Sequence, residues 1–260
     1  MKKIHLLVSV LGLGLLSCSV FVNFLLYNRT SKYYLELNQT RLDPLGLNYY
    51  PVNSQAVAKP DRSRVVFFGD SRAASWLPPK IDRYEFINRG ISSQTSAQTI
   101  DRFSAHVSPL KPNLVIVQVG VNDLKTIALF PERKQSIITN CQANIKQIIQ
   151  ASRKLGAVVM VTTIFPTGEV PLERKPFWSD EIGLAIKEVN TYIKTLADDK
   201  TVVFDTYALL ADRRGLMLPQ YRLDELHFNQ QGYTILNQEL ARQLAKIDRL
   251  IHKPAKAQLE

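Results

Sequence analysis

Val65-Val66-Phe67-Phe68-Gly69-Asp70-Ser71 is the stretch that decides the fold: four apolar residues, β-branched then aromatic, run unbroken into glycine, aspartate and serine. A short apolar run closed by turn residues marks a strand buried on both faces, and such strands belong to parallel sheets. The serine then stands at the carboxyl end of a strand, where open α/β sheets place their ligands. Taken alone, Gly-Asp-Ser also fits a plain strand-to-helix turn with aspartate or serine as the cap. The rest of the chain must decide between the two.

Working outward, further short apolar runs predict strands at 84–88, 114–119, 157–163 and 201–205. Helical periodicity fills the gaps at 96–107, 131–154, 179–197 and 232–252. The helix at 131–154 carries Ile137, Ile138, Cys141, Ile145, Ile148 and Ile149 on one face and stops at Gly156. This alternation predicts an α/β fold: a three-layer α/β/α, flavodoxin-like domain with a five-stranded parallel sheet of order 2-1-3-4-5. In that order the first three strands are neighbours.

At the N-terminus, Lys2-Lys3 precedes residues 4–27, which contain no Asp, Glu, Lys or Arg and have the length of a transmembrane helix. Leu15-Leu16-Ser17-Cys18 resembles a bacterial lipobox, but the apolar run continues well past Cys18. An uncleaved transmembrane anchor is therefore favoured over a lipidated Cys18 or a cleaved signal peptide. A basic head of this kind stays cytoplasmic, which puts the domain on the extracytoplasmic side, periplasmic or at the cell surface. The expected organisation is an anchor or signal segment at 1–28, a stalk at 29–63 with Asp43-Pro44-Leu45-Gly46, Pro51 and Pro60, a catalytic domain at 64–252, and a tail at 253–260.

The formal charge is +10, from 33 Lys and Arg against 23 Asp and Glu, but the cations are scattered and no basic run reads as a nucleic-acid patch. With Cys18 inside the apolar segment, the two cysteines predict no disulfide. There is no glycine-rich phosphate loop and no cluster with metal-ligand spacing, so neither cofactor nor metal is expected.

The chemistry gathers at the strand ends. Ser71 follows the first strand, Gly90 of Asn88-Arg89-Gly90-Ile91-Ser92 the second, and Asn122 of Gly120-Val121-Asn122-Asp123 the third. Converging there, the Ser71 N–H, the Gly90 N–H and the Asn122 amide would form an oxyanion hole, each donor worth roughly 3 kcal/mol of barrier. Far downstream, Asp224-Glu225-Leu226-His227 sets a carboxylate three residues before an imidazole. The loop after the fifth strand is long enough to return His227 to Ser71 as base, with Asp224 orienting it. Asp205 is a weaker acid candidate, Asp70 and Asp123 read as braces of their own turns, and His106 is not a base candidate. Ser108-Pro109-Leu110-Lys111 matches Ser-x-x-Lys without companion motifs. The loop 164–178 is either packed surface or a wall of the substrate pocket.

These four blocks, in this order, resemble the SGNH or GDSL-type hydrolases of esterases and lipases over about residues 65–245. The resemblance implies a serine hydrolase that cleaves carboxylic esters through an acyl-enzyme on Ser71, with Asp224 and His227 as acid and base, and with Ser71, Gly90 and Asn122 as oxyanion donors. The ester could sit on a lipid, an acetylated carbohydrate or a small molecule. An O-acyltransferase acting on envelope carbohydrate would use the same intermediate. A non-catalytic polysaccharide-binding module would need none of Ser71, Asp224 and His227. The chain departs from the family at Arg72, where leucine is usual, and a cation beside the serine is expected to bias the enzyme toward anionic esters.

Overall fold

The computed structural model describes residues 2–50 and 61–251, which fall into two compact units, 1–46 and 47–260. The first unit is dominated by α1, Lys2–Leu42, none of whose residues is buried. Its apolar part reaches a mean hydropathy of 2.2 over 18 residues, long and apolar enough to cross a membrane. At about 1.5 Å per residue the helix spans roughly 60 Å, about twice a hydrocarbon core. The polar half, expected as stalk, thus continues the same helix, and Lys32 and Glu36 pair across one turn at 3.9 Å. The turn expected at Asp43-Pro44-Leu45-Gly46 forms, closed by Gly46 N–H donating to Asp43 O at 3.1 Å. Pro51, Pro60 and the tail at 253–260 lie outside the described residues.

The second unit runs β1 (Ser63–Gly69), α2 (Ser71–Ala74), β2 (Tyr84–Gly90), α3 (Ser96–Asp101), α4 (Phe103–His106), β3 (Leu114–Gln118), α5 (Val121–Leu124), α6 (Lys134–Lys154), β4 (Val158–Thr162), α7 (Glu181–Lys194), β5 (Thr201–Phe204), α8 (Thr206–Leu210) and α9 (Gln230–Ile251). All strand pairs are parallel, in the predicted order β2-β1-β3-β4-β5. Alternation along the strands builds two cores. Val66, Phe68 and Val117 face α6 and α7, while Val65, Phe67 and Ile116 face α9 and Trp76. Every apolar side chain of Val65-Val66-Phe67-Phe68 is fully buried, each contributing about 1.5–3 kcal/mol before chain entropy is set against it. That two-sided burial is why the run shows no polar break.

Two helices differ from expectation. The segment 96–107 breaks at Arg102, whose guanidinium turns inward to donate to Gly69 O at 2.9 Å and Arg89 O at 2.8 Å. The long helix starts at Lys134, because Pro131–Arg133 forms a 3-10 turn. Its expected stripe is buried from Ile138 to Ile149, with Ile137 at the margin. Register then sets Gly69 beside both Gly90 and Gln118, so three strand ends meet at the start of α2.

Candidate active site

Gly69 is required by crowding: a Cβ there would lie 1.7 Å from Gln118 O, so only glycine lets β1 end this close to β3. Asp70 is extended, and its Oδ1 accepts the Arg72 N–H at 2.9 Å, capping α2. Ser71 is therefore the first helical residue, and its own N–H has no intrahelical acceptor. The Asp70 carboxyl is fully buried, its Oδ2 has no hydrogen-bond partner, and burial pushes its pKa up to about 6. A folded-state pKa above the unfolded value of about 3.9 favours folding when protonated. That contribution is complete below about pH 4 and is lost as pH rises through 6. Asp70→Asn keeps the cap and removes the charge, so the variant should gain up to about 3 kcal/mol relative to wild type at pH 8, and little at pH 4. Urea unfolding at the two pH values measures this; an equal difference at both would reject the assignment.

The three distant residues meet. Ser71 Oγ lies 2.9 Å from His227 Nε2, and His227 Nδ1 lies 2.8 Å from Asp224 Oδ2. Burial alone would raise the Asp224 pKa, but hydrogen bonds from the His227 ring and from the Leu226 and His227 N–H groups hold it below the ordinary carboxylate value. An ionised Asp224 only accepts, so Nδ1 carries the proton and Nε2 presents its lone pair to the serine hydroxyl. Ser71 and His227 are partly exposed. Asp205 is committed elsewhere: it caps α8 and pairs with Lys194 at 2.6 Å.

The oxyanion side departs from expectation at one donor. Gly90 N–H already donates to Asn88 Oδ1 at 2.8 Å, and Ile91 N–H to Gly69 O at 3.0 Å, so neither is free to meet a substrate oxygen. Gly90 instead lets α2 approach β2, since a Cβ there would lie 2.2 Å from Ala74 N. The next amides belong to Ser92 and Ser93, both exposed, and Ser93 adopts a left-handed φ of 65°. A polar residue at a left-handed position leaves no mark in sequence. Asn122 is buried on α5 and donates one amide hydrogen to Gln94 O at 3.0 Å, which leaves its second for a ligand. Asp123 braces the neighbouring loop as well as its own turn, accepting from the Ser96 N–H at 2.8 Å and from its hydroxyl at 2.6 Å. Tyr50 steadies the same strand end: its hydroxyl donates to Gly90 O at 2.6 Å and its ring covers the Arg89 guanidinium at 4.5 Å.

Arg72 is not a substrate-facing cation. Its side chain is fully buried and donates to Leu226 O at 2.8 Å, Phe165 O at 2.9 Å and Pro166 O at 3.3 Å. One guanidinium so joins α2 to the chain around His227 and to the loop after β4. That loop packs against the residue after Asp224: Gly168 N–H donates to Glu225 O at 2.9 Å, and Arg174 pairs with Glu225 at 3.0 Å. Between this loop and Asp224 lies a cleft of about 430 Å³ lined by Val170, Pro171, Arg222, Leu223 and Asp224.

Residues 57–235 match the model of the GDSL-like lipase/acylhydrolase family. The chain belongs to this family. As a GDSL-type acylhydrolase it is a hydrolase acting on ester bonds. Crystal structures that share the fold include a GDSL-like lipase from Bacteroides thetaiotaomicron VPI-5482 (24% identity, TM-score 0.60, covering 78% of this chain and 98% of that one), the lipase/acylhydrolase from Enterococcus faecalis (21%, 0.53, 75% and 100%), and an acetylxylan esterase from Geobacillus stearothermophilus (18%, 0.53, 72% and 96%). No curated protein matches the sequence. The family match covers the Ser71, Asn122 and His227 blocks together, and the fold likeness covers the sheet that brings them to one edge.

Proposed function

We propose that this GDSL-type hydrolase cleaves acyl or acetyl esters through an acyl-enzyme on Ser71. His227 Nε2 takes the hydroxyl proton as Oγ attacks the carbonyl carbon, and returns it to the departing alcohol. Asp224 holds the ring and stabilises the imidazolium. The oxygen that gains charge meets the Ser71 N–H, the free hydrogen of the Asn122 amide and, in place of Gly90, the Ser93 N–H. Water, activated by the same histidine, then releases the acid. The observation that carries this reading is the unbroken chain from Ser71 Oγ through His227 to Asp224, at 2.9 and 2.8 Å. Lys2 and Lys3 ahead of the apolar part of α1 support a membrane-anchored enzyme whose domain faces out of the cytoplasm, toward esters of the envelope.

A fluorophosphonate probe on the full chain in detergent tests it. Mass spectrometry should find the adduct on Ser71, with labelling at least about 100-fold slower in His227→Ala. An adduct elsewhere, or equal labelling rates, would reject the mechanism.

A further inference from the structure

With Arg72 turned inward, a different cation stands at the site. Lys125 follows α5 directly, three residues after Asn122, a spacing that sets the two side chains on one side of a helical turn. It is half-buried, and among the described residues its ammonium has no hydrogen bond and no ion pair. The charges acting on it belong to the site: Asp70 next to the nucleophile in sequence, Arg174, Arg72, and Glu225 next to the catalytic acid. Burial pulls its pKa below the ordinary lysine value, against the opposing pull of Asp70 and Glu225.

Neighbouring cations are engaged. Arg72 is held by three carbonyls, Arg174 by Glu225 at 3.0 Å, and Arg222 by Glu169 at 3.7 Å. An ammonium taken partly out of water with no partner carries a desolvation cost that an arriving anion relieves, and a charge-assisted bond of this kind is among the stronger polar contacts. The chain as a whole carries an excess of positive charge, +10, which favours the approach of anionic molecules.

We propose that Lys125 is an anion-binding subsite beside the oxyanion hole, so that the enzyme selects esters bearing a carboxylate or phosphate near the scissile bond. The inference rests on the Ser71 esterase reading and names its substrate class. Two sources share this chemistry, an acetylated uronate of a polysaccharide and a phospholipid headgroup.

The test compares 4-acetoxybenzoate with its methyl ester, a pair matched but for the negative charge, using the full chain in detergent. The ratio of kcat/KM for the anionic over the neutral ester should fall at least about 10-fold in both Lys125→Met and Lys125→Gln, and recover in Lys125→Arg. Raising salt should lower the wild-type ratio and leave that of Lys125→Met flat. An O-acetylated oligouronate and lysophosphatidylglycerol then separate the sources: the true one loses turnover in the methionine variant by the same factor. A ratio unchanged in both variants, with ester turnover intact, overturns the anion subsite alone. So does a loss shared equally by both esters and accompanied by a lowered Tm, which marks a structural lysine. Absence of turnover on every ester, together with no probe adduct on Ser71, overturns the esterase reading and this inference with it.

Discussion

Ser71→Ala is expected to lower ester turnover by roughly 10⁴- to 10⁶-fold, the range seen when the nucleophile of a serine triad is removed. The size follows from the geometry. Ser71 Oγ is the atom 2.9 Å from His227 Nε2, and no other hydroxyl is bonded to that nitrogen among the described residues. His227→Ala should cost a similar factor, and the double variant little more, because the two act as one unit. Steady-state rates on an activated ester measure this. More than a tenth of wild-type activity in Ser71→Ala would remove the serine from the mechanism, while additive losses would separate the two residues.

The second large effect belongs to Arg72. Its replacement by leucine, the residue usual in the family, should destabilise the domain by about 3–5 kcal/mol, because Leu226 O, Phe165 O and Pro166 O lose a shared buried donor. For a body of this size that is a fall in Tm of about 6–20 °C. Arg72→Lys keeps the charge without the planar fork and should lie between. Turnover should fall as well, since Leu226 adjoins His227 and its carbonyl is what the guanidinium grips. Thermal unfolding with activity on a neutral ester checks both; a destabilisation below about 1 kcal/mol would show that the carbonyls find other donors.

The sheet was legible because parallel strands buried on both faces write themselves as unbroken apolar runs, and Val65-Val66-Phe67-Phe68 is one. The meeting of Ser71, His227 and Asp224 was legible because the serine ends a strand and the carboxylate and imidazole stand three residues apart in a loop long enough to return to it. What was not legible depends on side-chain direction. Arg72 reads the same in a sequence whether it points at substrate or into the core, and only its three carbonyl partners show which. The Gly90 N–H looked available because glycine permits close approach, yet the side chain of Asn88, two residues earlier, occupies it. Arg102 broke an otherwise regular helix because a buried arginine there can bind Gly69 O and Arg89 O at once, a tertiary gain that helix periodicity does not record.

Tyr50 lies near the start of the folded body, which begins at Leu47. It lies 13 residues ahead of β1, yet its hydroxyl secures Gly90 O and its ring sits over Arg89 and edge-on to His106. Proteolytic shedding ahead of Leu47 would therefore release an enzyme that keeps its brace, whereas a nick between Tyr50 and Ser63 would turn that brace into a detachable peptide. The position of the cut, more than the loss of the apolar helix, would decide whether a released form keeps its strand-end loop in place.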